Sequence, residues 1–295
     1  MSTANAFALR GARPVFVDVD PVTLNIDPAA IAAAVGPRTR AVVVVHYAGV
    51  ACAMDEIASL TTANDLALIE DAAHGCGGSY AGRPLGSIGD FGTLSFHDTK
   101  NVQCGEGGAL LVNRAEALPR AEVLREKGTN RRAFLRGDVD RYSWVDVGSS
   151  YLLGELPAAA LLAQLEAADA VIGRRRTIWE RYRVELSDWA QRHGVQLPAP
   201  PPYAEHAAQL FHLLLPTASA RDEFLEHLRE RDVGAAFHFV PLHLSPLARA
   251  FGHNAPLPVT ESAAERLARL PLYPDLTDAQ VGHVIDAVTS FRPAA

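Results

Sequence analysis

Residues 41–45, Ala-Val-Val-Val-Val, form an unbroken apolar run in which four of five side chains branch at Cβ. Such branching stiffens χ1 and favours extended backbone, and a run with no polar alternation fits a strand buried on both faces, the habit of parallel sheets. Parallel strands need crossovers, and the flanking segments provide them. Asp27 stands as an N-cap before residues 28–35, helical spacing returns over residues 54–64, and a second apolar run, residues 66–70, ends at Asp71. Residues 2–9 have the composition of a short helix, and residues 14–18 read as a further strand. Strand and helix alternating at this spacing predict an α/β fold with a mostly parallel sheet.

The rhythm breaks after Asp71. Glycines at 75, 77, 78, 82, 86 and 89 surround Ser79-Tyr80 and Pro84-Leu85, which predicts a short hairpin. Gly75-Cys76-Gly77-Gly78 has the look of a dinucleotide loop, but it lacks the G-x-G-x-x-G spacing and opens no helix, so a nicotinamide dehydrogenase is set aside. Strands are expected at residues 91–96 and 109–112, then a helix over 115–127 closed by Gly128. Residues 129–151 are irregular and arginine-bearing, as functional or interface loops often are. Helical spacing then runs from 156 to 189 with Gly173 as the expected break, and the Pro-rich stretch 193–202 reads as a linker. It divides a large domain, residues 1–192, from a small α+β domain, residues 193–295, with strands at 210–215 and 235–239 and helices at 220–231, 261–270 and 277–291.

Length and composition fit this division: 295 residues, 48% hydrophobic, are enough for one large core and an appendage. A net charge of -7 argues against a nucleic-acid partner, and Arg174-Arg175-Arg176 reads as a solvated helix face. No stretch reaches membrane-spanning length and no leader peptide opens the chain, so the expected compartment is the cytoplasm. Cys52, Cys76 and Cys104 follow no metal-ligand spacing and read as reduced thiols.

The polar loop from Ser95 to Gly108 hangs between two apolar runs and carries Lys100. Lysines and arginines total 27, yet only Lys100 and Lys127 are lysine. A lysine in so arginine-rich a chain marks a site where a guanidinium will not serve, such as an amine that must lose its proton and attack a carbonyl. Asp71 ends one strand, His74 follows three residues later, and Ser95-x-x-x-x-Lys100 follows another strand. Pyridoxal phosphate requires this set: a lysine to hold its aldehyde as a Schiff base and shuttle a proton, a carboxylate opposite the ring nitrogen, and hydroxyl and N–H groups for the phosphate. Taken singly, the aspartate could be a helix cap and the histidine structural. The combination carries the reading.

Longer stretches point the same way: Phe16-Val17-Asp18, residues 23–27, His46-Tyr47-Ala48-Gly49, Glu70-Asp71-Ala72-Ala73-His74, residues 95–108, Arg125 to Arg131, residues 148–152, and Phe237-His238 with Pro241-Leu242-His243. Together they resemble the sugar aminotransferases of the DegT/DnrJ/EryC1/StrS family. The resemblance implies a type I pyridoxal-phosphate aminotransferase fold, a homodimer with active sites at the interface, and amino transfer from glutamate to C4 of a dTDP-4-keto-6-deoxyhexose. It implies Lys100 as the cofactor lysine, Asp71 as the ring-nitrogen partner, and His74, Ser95 and Ser150 as further cofactor contacts. For the substrate it points to Arg131, His238 and His243, and it calls for no metal. Relatives that dehydrate sugars have histidine in place of the lysine, so Lys100 favours transamination. Members of the family begin several tens of residues earlier. The chain is therefore expected to lack the front of the fold, and an inactive fragment or one half of a split enzyme is the alternative reading.

Overall fold

The computed structural model describes residues 1–252 and 255–293. Its first part runs α1 (Ser2–Ala8), α2 (Pro28–Ala34), β1 (Ala41–Val45), α3 (Met54–Ala63), β2 (Ala67–Asp71), β3 (Ser79–Tyr80), β4 (Arg83–Pro84), β5 (Phe91–Ser95), β6 (Gly108–Val112) and α4 (Leu118–Arg125). Then come α5 (Arg131–Arg136), α6 (Glu155–Glu166), α7 (Ala168–Glu185) and α8 (Ser187–His193). The remainder is β7 (Ala204–Glu205), β8 (Phe211–Leu214), α9 (Ala218–Arg229), β9 (Ala236–Phe237), α10 (Pro246–Ala250), α11 (Pro258–Arg266), β10 (Leu267–Leu270) and α12 (Asp278–Ser290).

The main sheet has the order β1-β2-β5-β6, with β1, β2 and β5 parallel and β6 returning antiparallel. The register sets Asp71 opposite Val45 on one side and Thr93 on the other, so the carboxyl ends of three strands lie together. Local chemistry starts the helices where the sequence predicts. Asp27 accepts from Ala29 N at 2.9 Å with Pro28 in the first turn, and Thr277 with Gln280 forms a capping box on α12. The predicted hairpin is present as β3 and β4, with β7 added to its other edge.

Four expectations need correction. Residues 14–18 form no strand, and only a single bridge, Val19 to Ile26, is made nearby. Asp18 has another use: its carboxylate accepts from Val259 N, Thr260 N and Thr260 Oγ1 at 2.7–3.0 Å, capping α11. The predicted helix 261–270 stops at Arg266, and Leu267–Leu270 is β10, the middle strand of a second sheet ordered β8-β10-β9. A short apolar run fits a buried strand as well as a helix, and periodicity cannot choose between them. The break in the long helical stretch falls at Ala167, while Gly173 sits inside α7 in open surroundings. Finally, residues 174–176 are no solvated face. Buried Arg175 donates to Ala208 O and Gln209 O at 3.0 and 2.7 Å, and Arg176 donates to His206 O and Gly77 O at 3.0 and 2.8 Å. Desolvation pushes the Arg175 guanidinium down to about 10.

One core lies under the main sheet around Val44, Met54, Ile57 and Leu68. The other joins Ile178, Tyr182 and Trp189 of α7 and α8 to Phe211, Phe224 and Val281. Among the described residues no single helix is long and apolar enough to cross a membrane.

Glu70, next to the site aspartate, is fully buried. Its Oε1 accepts from Ile88 N and Gly89 N at 2.6 and 2.7 Å, and its Oε2 from Gly86 N and His46 Nε2, each at 2.9 Å. His46 Nδ1 accepts from Cys52 N at 3.2 Å, so the imidazole proton lies on Nε2, facing Glu70. Burial alone would raise the Glu70 carboxyl, but the hydrogen bonds from His46, Gly89, Gly86 and Ile88 outweigh it and hold it below the usual range. That stabilisation is present above the unfolded carboxylate pKa and is lost as pH falls through the lower folded value. Glu70→Gln should cost about 3–5 kcal/mol in urea unfolding at neutral pH and flatten the acid dependence of stability. A midpoint within experimental error of wild type would contradict this.

Candidate active site

Asp71 ends β2 and Ser95 ends β5, adjacent parallel strands, so both stand where open α/β sheets place ligands. The Asp71 carboxylate is fixed at both oxygens: Oδ1 accepts from Ala73 N at 3.0 Å and Oδ2 from Thr3 Oγ1 at 2.6 Å. Thr3 belongs to α1, which the sequence read as the body of a helix with no part in the site.

The lysine loop is held from within and by residues 207 and 209. Lys100 N donates to His97 O and Asp98 N to Gly105 O, each at 3.0 Å, and Ser95 Oγ accepts weakly from His97 N at 3.4 Å. Buried Asn101 donates through Nδ2 to Ala207 O at 2.6 Å, and Gln209 Nε2 donates to Thr99 O at 2.9 Å. Arg175 pins the same strip at residues 208 and 209, so the loop rests on a backbone fixed from beneath. Gly49 is needed at this seam, because a Cβ there would stand 2.6 Å from His74 O and 2.7 Å from Ala207 Cβ.

The surroundings weaken the hold of the amine on its proton. Lys100 is half-buried, and desolvation lowers its pKa while the Asp71 charge opposes the shift. His74 is pushed down to about 4, first by burial and then by the Lys100 charge, against the pull of Asp71. Its Nδ1 is buried with no partner among the described residues. A lysine of lowered pKa, a carboxylate with fixed oxygens and a neutral imidazole with an unused nitrogen make a donor set that fits pyridoxal phosphate.

The structure treats the remaining sequence candidates differently. His238 lies in the same neighbourhood: a proton on it would oppose one on His74, burial and Arg269 push it down to about 4, and its ring stands edge-on to Tyr47 at 5.2 Å. His243 is buried and paired with Glu261 at 2.9 Å, which ties α11 to the segment before α10. Arg131 is bound to buried Glu126 at 3.1 Å, and exposed Ser150 bridges the backbone of the same residue. Two further residues carried no signal in the sequence, Thr3 and Arg269, the latter one arginine among many, and Tyr47 stood out only as part of the stretch His46-Tyr47-Ala48-Gly49. A cleft of about 500 Å³ lies away from this group, between Thr61, Asp65, Asp90 and Arg114.

Comparison with known proteins gives this geometry its context. The model of the DegT/DnrJ/EryC1/StrS aminotransferase family matches residues 1–289. The spore coat polysaccharide biosynthesis protein SpsC of Bacillus subtilis is 37% identical over 296 residues, covering 97% of this chain and 75% of that protein. The crystal structure of the aminotransferase TlmJ from Streptoalloteichus hindustanus superposes with a TM-score of 0.89 at 35% identity, over 98% of this chain and 76% of that one. DesV of S. venezuelae, solved in complex with a ketimine intermediate, gives 0.86 at 33% identity over 98% and 74%.

The bond from Thr3 joins two segments far apart in sequence at a charged acceptor. Thr3→Val should therefore cost about 1.5–3 kcal/mol in urea unfolding, whereas Thr3→Ser should stay within about 0.5 kcal/mol of wild type. Equal midpoints for valine and serine would show that the hydroxyl carries no energy.

Proposed function

The chain belongs to the DegT/DnrJ/EryC1/StrS aminotransferase family, and from that premise we propose that it transfers the amino group of glutamate to C4 of a dTDP-4-keto-6-deoxyhexose. The product is a dTDP-4-amino-4,6-dideoxy sugar for cell-surface polysaccharide or glycoside synthesis, an activity closest to that of dTDP-4-amino-4,6-dideoxygalactose transaminase. The family is pyridoxal-phosphate-dependent. When bound, that group supplies an aldehyde for amines and a pyridine ring that draws electrons from the reacting carbon.

The observation that carries the reading is the placement of half-buried Lys100 within the field of Asp71 and His74, on a loop clamped at Asn101 and Thr99. Lys100 would hold the cofactor and, as a free amine, would move a proton at Nζ. Its lowered pKa serves both tasks, since nucleophile and base are the same neutral form. Asp71, pinned by Ala73 N and Thr3, would be the carboxylate partner of the ring nitrogen. His74 stays neutral and offers a hydrogen bond without adding charge, and Ser95 takes the phosphate with the loop's N–H groups. His238 faces the substrate, while Arg131, His243 and Ser150 are assigned to the rim that receives the nucleotide or the neighbouring subunit.

A homodimer suits the surface. Trp144 and Tyr151 are 74% and 60% exposed, and Leu156, the second residue of α6, is 87% exposed, with Val145, Val147 and Leu162 nearby in sequence. An apolar band of that kind favours coverage by a second copy, which also supplies the Ser150 segment to the neighbouring site.

Incubating the cofactor-loaded protein with glutamate and dTDP-4-keto-6-deoxyglucose should yield an amino sugar nucleotide and 2-oxoglutarate by NMR. Asp71→Asn should keep the fold and lower that turnover beyond the roughly 10²–10⁴-fold expected of one general acid or base. Equal or faster turnover of plain amino acid and keto acid pairs would overturn the substrate, and Asp71→Asn activity within a few-fold of wild type would remove Asp71 from the mechanism.

A further inference from the structure

Arg269 sits on the middle strand of the second sheet, directly opposite His212 of β8, so the two side chains share a face. From there a ring of contacts closes on itself. His212 lies 5.8 Å from Tyr47 between ring centroids, Tyr47 stands 5.2 Å from His238, His238 meets Phe239 at 5.6 Å, and the Arg269 guanidinium lies 6.0 Å over Phe239.

The polar atoms of this ring are largely unused. Among the described residues Arg269 makes one hydrogen bond, from Nη2 to Phe237 O at 3.1 Å, and no ion pair. Its Nε is buried without a partner, as are Tyr47 Oη, His212 Nδ1 and His238 Nδ1. A guanidinium does not deprotonate in proteins, so a permanent cation stands here uncompensated. The surrounding groups cannot balance it: burial raises the Tyr47 phenol well above its usual value, and His212 and His238 are each pushed down to about 4, so all three are neutral at pH 7. Each buried polar atom left unpaired costs about 1–3 kcal/mol, and the two fixed donors of the ring, Arg269 Nε and Tyr47 Oη, call for an acceptor in the working protein.

We propose that Arg269, with Tyr47 and His238, binds a carboxylate of the amino donor. The inference rests on the transaminase reading above, which requires an amino acid beside Lys100. Location supports it, because the charge of Arg269 acts on His74, which also feels Lys100 and Asp71. Charge and shape support it too: one guanidinium matches one carboxylate, and its planar fork matches the two oxygens. A diphosphate would bring excess negative charge into a ring of neutral side chains. Arg269 also lines a small cleft with Gln209 and Leu210, and Gln209 donates to Thr99 O of the lysine loop.

The test uses glutarate, which carries both carboxylates of glutamate and no amine, titrated by calorimetry into the cofactor-loaded protein. Arg269→Gln should weaken glutarate at least about 30-fold, the lower end for removing one partner of a buried charge pair, with Arg269→Lys in between. Tyr47→Phe, nearly isosteric, should weaken it about 3–10-fold. Binding of dTDP and of inorganic phosphate should stay within twofold in all three. Unchanged glutarate affinity in Arg269→Gln overturns the proposal, and so does a loss confined to dTDP or phosphate, which would give the site to the nucleotide or the cofactor. Arg269-dependent glutarate binding in a protein that fails to transfer the amine of glutamate would uphold the carboxylate site and fault the choice of glutamate as donor.

Discussion

A carboxylate buried without solvent has to find four or more donors nearby, and Glu70 finds them in three backbone N–H groups and one imidazole. Those partners come from the chain before and after it. His46 follows β1, while residues 86–89 lead into β5, so one side chain fixes the relative ends of three adjacent strands. Everything chemical is built one step further on. Asp71 is the next residue, His74 follows within the turn, and Ser95 and Lys100 leave the strand that the 86–89 loop introduces. If the Glu70 cluster shifts, the carboxylate and the amine lose their common frame.

The second layer of control is charge management. Desolvation keeps His74, His212 and His238 neutral and lowers Lys100, so the site gathers many nitrogens while holding few protons. Asp71 is the anion of this group, and its oxygens are oriented by a backbone N–H and by Thr3. Arginines hold the site together at two scales. Arg175 fixes the strip on which the lysine loop rests, and Arg269 supplies a cation with no ion-pair partner among the described residues.

Much of this was legible in the residues. The valine run announced an α/β sheet, and the aspartate at a strand end and the rare lysine pointed to the site proposed here, because those signals are local in sequence. What stayed hidden depends on contacts across long separations. Asp18 reads as the end of a strand and is instead a cap for α11, 240 residues away in the chain, as its bonds to Val259 and Thr260 show. Residues 267–270 are apolar enough for either helix or strand, and only pairing with β8 and β9 decides. Arg175 and Arg269 look like any other arginine until burial singles them out. Thr3 gains its importance from Asp71, 68 residues later.

The central claim is that one of two lysines carries the cofactor. The most direct test is to load the protein with pyridoxal phosphate, reduce with borohydride, digest, and map the modified peptide by mass spectrometry. The account predicts a single pyridoxyl label on Lys100, and loss of that label in Lys100→Ala without transfer to another residue. A label on Lys127, or none after reduction of a protein that holds the cofactor, would contradict it.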